Sequence, residues 1–101
     1  MIYGLIVPGS FDEVTEMRVL EWHGQPGQDI APGQLVVELE THKVVVEVRA
    51  GAHAILREIL CAAGGWQKAG APIAFLSDRP DEPLPASAEG LDQPVVMLEI
   101  V

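Results

Sequence analysis

Lysine is scarce in this chain, and one of its two lysines stands where a free amine could be put to use. Lys43 lies between two apolar, β-prone runs, residues 35–41 and 44–50, so folding the chain at His42-Lys43 makes a tight hairpin with the amine at its tip. The other lysine, Lys68, has no such setting. An ammonium on a four-carbon stem at a turn is ordinarily solvated surface, and its isolation at this tip makes Lys43 the candidate for a special role. The remaining nucleophiles and ligands form no familiar constellation. Ser10 and Ser77 have no strand-to-helix elbow, and Cys61 falls within an expected strand with no histidine signature around it, as a buried structural thiol would. His23, His42 and His53 lack both ligand spacing and a cysteine cluster, so no metal site is expected. Gly64-Gly65 is too short to cradle a phosphate, and no helix follows it.

The hairpin register follows from the alternation of its residues. Pairing Thr41 with Val44, Leu39 with Val46 and Val37 with Val48 assembles one apolar face; Glu40 with Val45, Glu38 with Glu47 and Val36 with Arg49 then fall on the other. A slip of one residue would bury the glutamates that bound the tip. Two-residue hairpin loops favour Asn-Gly or Gly-X, so turn propensity does not account for His-Lys.

The elements that must hold this hairpin are also short strands. No stretch sustains a helical period over three turns, and apolar runs at 2–7, 17–23, 55–61 and 73–77, with a brief pairing around Ile30, alternate with turns at Pro26-Gly27, Pro32-Gly33, Gly64-Gly65 and Ala69-Gly70. Shifting the chain by 37 positions lays Gly27 on Gly64, Gly33 on Gly70, Val19 on Leu56, Glu21 on Glu58 and Trp22 on Ile59. Two similar halves predict a pseudo-twofold β-sandwich or flattened barrel with the lysine hairpin at one extremity. Trp22 reads as core and Trp66 as a partly exposed turn residue. Residues 1–77 form the expected domain. Residues 78–94 hold four of the eight prolines and five acidic residues, the chemistry of a linker, whereas 95–101 is apolar and β-prone and must dock, on its own domain or on a second copy.

Composition bounds the function. At 101 residues the chain is one small domain, and fifteen acidic against six basic residues give a net charge of −9, which disfavours nucleic acid and anionic membranes as partners. One cysteine allows no internal disulfide, no apolar run reaches the ~20 residues of a membrane span, and the first residues lack a basic leader. A cytoplasmic location is expected.

The residues around Lys43 resemble a known motif. Glu40-Thr41-His42-Lys43-Val44 is similar to the lipoyl-attachment hairpin of lipoyl domains, usually written Glu-Thr-Asp-Lys-Ala. Glu16 with Val19 and Trp22 resembles the family's Glu-Gly-x-Ile-x-x-Trp segment, and Pro26 to Gly33 its Pro-Gly-Asp-x-Val-x-x-Gly turn; residues 55–59 and 64–70 match the second half. The resemblance covers residues 2–77. It departs at His42 for aspartate, Val44 for alanine, Met17 and Ala54 for glycine, and Gly65 and Gln67 for aspartate and valine.

This resemblance implies an all-β flattened barrel, a barrel-sandwich hybrid of two four-stranded sheets with quasi-twofold symmetry. It implies lipoic acid in amide linkage to Lys43, with Glu40, Thr41, His42 and Val44 as flanking recognition residues. The domain would be a swinging-arm carrier, not itself a catalyst, of the kind classed with dihydrolipoamide acyltransferase components of 2-oxo acid dehydrogenase complexes. Its partners would be a lipoyl ligase or octanoyltransferase pathway, and a 2-oxo acid dehydrogenase, acyltransferase and dihydrolipoyl dehydrogenase acting in trans. A biotin carrier, which would typically show Met-Lys-Met, is one alternative. An unmodified lipoyl-like interaction module is the other.

Overall fold

The computed structural model describes residues 1–9 and 15–101; Ser10, considered above, lies outside the described residues. The described residues form nine strands and no helix: β1 (Ile2–Ile6), β2 (Glu16–Trp22), β3 (Asp29–Ile30), β4 (Leu35–Glu40), β5 (Val45–Ala50), β6 (Ala54–Ile59), β7 (Trp66–Lys68), β8 (Pro72–Ser77) and β9 (Val96–Ile100). They build two antiparallel sheets, ordered β1-β8-β6-β3 and β7-β2-β4-β5-β9. The expected all-β sandwich is present, open rather than closed into a barrel. Its second sheet has five strands instead of four, because β9 pairs along the free edge of β5 from Ala50↔Val96 to Val46↔Ile100. Trp66 lies in a strand, β7, rather than a turn, and is half exposed there; three residues of Trp-Gln-Lys are too few to show an alternating pattern.

The internal repeat is a repeat of hydrogen bonds as well as residues. Moved by 37 positions, β2, β3 and β4 land on β6, β7 and β8. Gly27 donates its N–H to the Leu56 carbonyl at 2.7 Å, and Gly64 donates to the Val19 carbonyl at 2.7 Å. Likewise Gly33 donates to Ala50 at 2.7 Å and Gly70 to Val7 at 2.8 Å. Gly27 and Gly64 have φ of 91° and 95°, in the left-handed region where a Cβ is strained, which is why both turns need glycine. In each case the turn of one half binds a strand of the other, so the halves interlock.

Between the sheets lies one apolar core, including Met17, Val19, Val37, Leu39, Val46 and Val48 from the second sheet and Leu5, Leu56, Ile73 and Leu76 from the first. The hairpin register is the expected one from Glu40↔Val45 through Leu39↔Val46 and Glu38↔Glu47 to Val37↔Val48. It then departs, since Arg49 faces Leu35 and Val36 is buried, not on the solvent face. A bulge inserts one residue there and breaks the alternation. Its symmetry mate occurs between Ala74 and Pro72, where Ile73 is skipped by the register with β1 and is buried too.

Candidate functional site

The β4–β5 turn is closed by a side chain. Thr41 Oγ1 accepts the backbone N–H of Lys43 and of Val44, both at 3.1 Å, and the Thr41 N–H donates to the Val44 carbonyl at 2.9 Å. A threonine that caps the turn in this way supplies the local closure that Asn-Gly would otherwise give, and accounts for His-Lys at the apex. Thr41 is buried and Val44 packs against the core, so the root of the turn is fixed. His42 and Lys43 are exposed.

The amine of Lys43 makes no ion pair among the described residues, although glutamates stand on both strands. Each of these carboxylates is engaged elsewhere: Glu40 with Arg18 at 3.1 Å, Glu47 with Arg49 at 3.1 Å, and Glu38 with His23. Sheet register places Arg18 opposite Glu40, a pairing that linear spacing does not give. Register also aligns Glu21, Glu38, Glu47 and Glu99 in one row across β2, β4, β5 and β9. Directly opposed like charges are unfavourable. Arg49 offsets part of this charge, reaching Glu47 and, at 3.8 Å, Glu99, while His23 Nε2 lies 3.2 Å from Glu21 and also meets Glu38.

Glu21, His23 and Glu38 thus present three ligand atoms within 4.8 Å of one another, a donor set invisible to histidine spacing alone. On an open sheet face it is accounted for as a polar contact cluster, in which His23 Nε2 hydrogen-bonds Glu38. Cys61 is buried just beyond β6, and its carbonyl accepts the Trp22 indole N–H at 2.8 Å, so both residues serve the frame. Lys68 lies exposed on β7, at the far edge of the sheet from β9. Of the residues singled out from the sequence, Glu40, Thr41, His42, Lys43 and Val44 come together at one tip by contiguity.

The quasi-twofold axis gives this tip a counterpart. The Asp78 N–H donates to the Met1 carbonyl at 3.3 Å, the equivalent of the Thr41–Val44 bond, so the strand ends at Ser77 and Ile2 mirror the two sides of the lysine hairpin. There the Met1 amino group contacts Glu82, and Asp78 at 3.4 Å. The hydrogen bond to Glu82 raises the amine above its ordinary value, and the same bond lowers the Glu82 carboxyl. Partial burial, with the adjacent Asp78 charge, raises the Tyr3 hydroxyl. No helix of the described residues is long and apolar enough to cross a membrane.

Comparison with known proteins adds an independent line. A family profile named for biotin and lipoyl and described as biotin-requiring enzyme matches residues 6–76. The dihydrolipoyllysine-residue succinyltransferase component of the 2-oxoglutarate dehydrogenase complex of Staphylococcus saprophyticus is 36% identical over 72 residues, which is 71% of this chain and 17% of that protein. Its Bacillus subtilis counterpart is 33% identical over 72 residues, again 71% and 17%. That of Escherichia coli K12 is 39% identical over 56 residues, 55% of this chain and 14% of the relative. The chain therefore spans less than a fifth of the length of each. No solved structure gives a significant match.

Proposed function

The chain belongs to the biotinyl/lipoyl family as a lipoyl domain, and from that premise we propose that it is a lipoyl carrier, modified on Lys43, that serves a cytoplasmic 2-oxo acid dehydrogenase complex. The observation that carries this reading is the exposed, unpaired amine at the apex of a turn whose root is closed by Thr41 and packed by Val44. An amine so placed fits an amide link to lipoic acid, which when attached supplies acyl and electron transfer at the end of a long arm. The names of the relatives favour lipoic acid over biotin.

The chain's own residues do the positioning. Thr41 holds the Lys43 and Val44 amides, so the arm starts from a fixed root, and a tether of fixed root raises the local concentration of its end at each partner site. Glu40 and Glu47, neutralised by Arg18 and Arg49, leave the lysine free of a local counterion. Glu40, Thr41, His42 and Val44 form the surface that the ligase or octanoyltransferase would read. Residues 1–77 act as the carrier unit and 78–101 as an appended tail, and catalysis lies with the dehydrogenase, acyltransferase and dihydrolipoyl dehydrogenase partners.

Intact-mass measurement of protein purified from its own host under lipoate-replete conditions tests the reading. One lipoyl adduct on the wild type, absent from Lys43→Arg, is the expected result. A wholly unmodified wild type defeats the carrier assignment; a biotinyl adduct replaces lipoic acid with biotin; loading at Lys68 moves the site.

A further inference from the structure

β9 is the outermost strand of the five-stranded sheet, and among the described residues no strand lies on its far side. Gly51 donates to the Val95 carbonyl at 2.7 Å and Val101 to the Val45 carbonyl at 2.8 Å, which makes the odd-numbered residues of this segment the ones bonded to β5. Bonding alternates along an antiparallel pair, so the N–H and C=O groups of Val96, Leu98 and Ile100 point to the open side. Native edges are usually protected by lysine, proline or a bulge. Residues 96–100 have none of the three and a single charge, Glu99, and Met97, Leu98 and Ile100 are 47%, 38% and 59% exposed.

We infer that this edge pairs with the same edge of a second copy of the chain, antiparallel about a twofold axis at Leu98. This register sets Leu98 against Leu98 of the other copy and Val96 against its Ile100, a continuous apolar stripe on one face. On the opposite face Glu99 meets Met97 of the other copy. A slide of two residues one way would oppose Glu99 to itself; the same slide the other way would place Ile100 against Pro94, which has no N–H to give. Charge favours the same register. Met97 is the sheet neighbour of Arg49, so the row Glu21, Glu38, Glu47, Glu99 of each copy continues through the other copy's Met97 to its Arg49.

A five-residue strand gives an interface at the small end of the range, below about 1,200 Å² in total, so the dimer is concentration-dependent. A net charge of −9 on each copy opposes approach, and salt screens that repulsion. The β4–β5 turn lies at the Val101 end of β9, so antiparallel pairing sends the two Lys43 tips to opposite ends of a ten-stranded sheet and leaves both free. The inference is independent of the carrier reading.

Sedimentation velocity across a concentration series, at low and at high salt, tests it on the full chain. The expected result is a mass rising from one copy towards two, more readily at high salt, with association weakened several-fold or more in Leu98→Lys, whose folded state is checked by circular dichroism. Leu98→Cys gives a second reading that does not rest on that variant. Its Cα atoms would lie about 5.5 Å apart across the axis, within disulfide reach, so added diamide should cross-link it and should not cross-link Glu99→Cys. A monomer at every concentration, a dimer indifferent to Leu98→Lys, or equal cross-linking of the two cysteine variants overturns the proposal.

Discussion

The two ends of the molecule share a backbone plan and differ in what is done with an amine. At one end Thr41 bonds Val44 across a two-residue tip; at the other Asp78 bonds Met1 across an opening between chain segments. Lys43 projects from the first with no ion pair among the described residues, whereas the Met1 amine at the second is held between Asp78 and Glu82. Quasi-symmetry therefore supplies two similar platforms, and side-chain chemistry singles out one. Of the two amines at these ends, one is presented and one is engaged.

Four experiments would break or sharpen that contrast. The largest effect is expected for Lys43→Arg: complete loss of lipoylation by intact mass, with an unchanged melting curve, since the residue is exposed and outside the core. Next, Leu39→Ala and its symmetry mate Leu76→Ala, both fully buried, should each cost about 2–5 kcal/mol in urea unfolding. Similar losses would support equivalent platforms; a large gap would show that the repeat is geometric and not energetic.

Thr41→Ala should then cost about 1 kcal/mol, because two backbone N–H groups lose their acceptor. It should speed hydrogen exchange at Lys43 and Val44 and slow lipoylation, with Thr41→Ser restoring both. The smallest effect belongs to the opposite end. The Glu82 carboxyl is depressed by its bond to the chain's amino group, so its contribution is full above the ordinary carboxyl value and fades as pH falls through the depressed one. Glu82→Gln should remove that small acid-side component of thermal stability and leave lipoylation at Lys43 unaltered.

Much of this was legible in the residues. Alternation gave the hairpin register because one slip would have buried glutamates, and the 37-residue shift gave the symmetry because its glycines are required by left-handed turns. What escaped reading depended on partners distant in sequence. The bulge that buries Val36 arises from pairing, not from any local signal, and β7 is too short for a pattern. The apolarity of residues 95–101 was plain, whereas their place beside β5 was not. Arg18 reaches Glu40 and His23 reaches Glu38 across strands, so these surroundings of Lys43 emerge only in the folded sheet, whereas Arg49 and Glu47 are neighbours on one face of β5. The candidate site itself was the most readable part, since five consecutive residues compose it.

The interlocking of the halves has a consequence for synthesis. A nascent chain can close the β4–β5 hairpin from contiguous residues as soon as they emerge, but β1 has no partner strand until β8 is made. Non-local pairings of this kind are slow steps, and the order of translation delays them further. The lysine tip is therefore the early-forming part of the molecule and its rigid support the late one. A ribosome stalled before residue 72 would display the Lys43 tip on a hairpin without a frame.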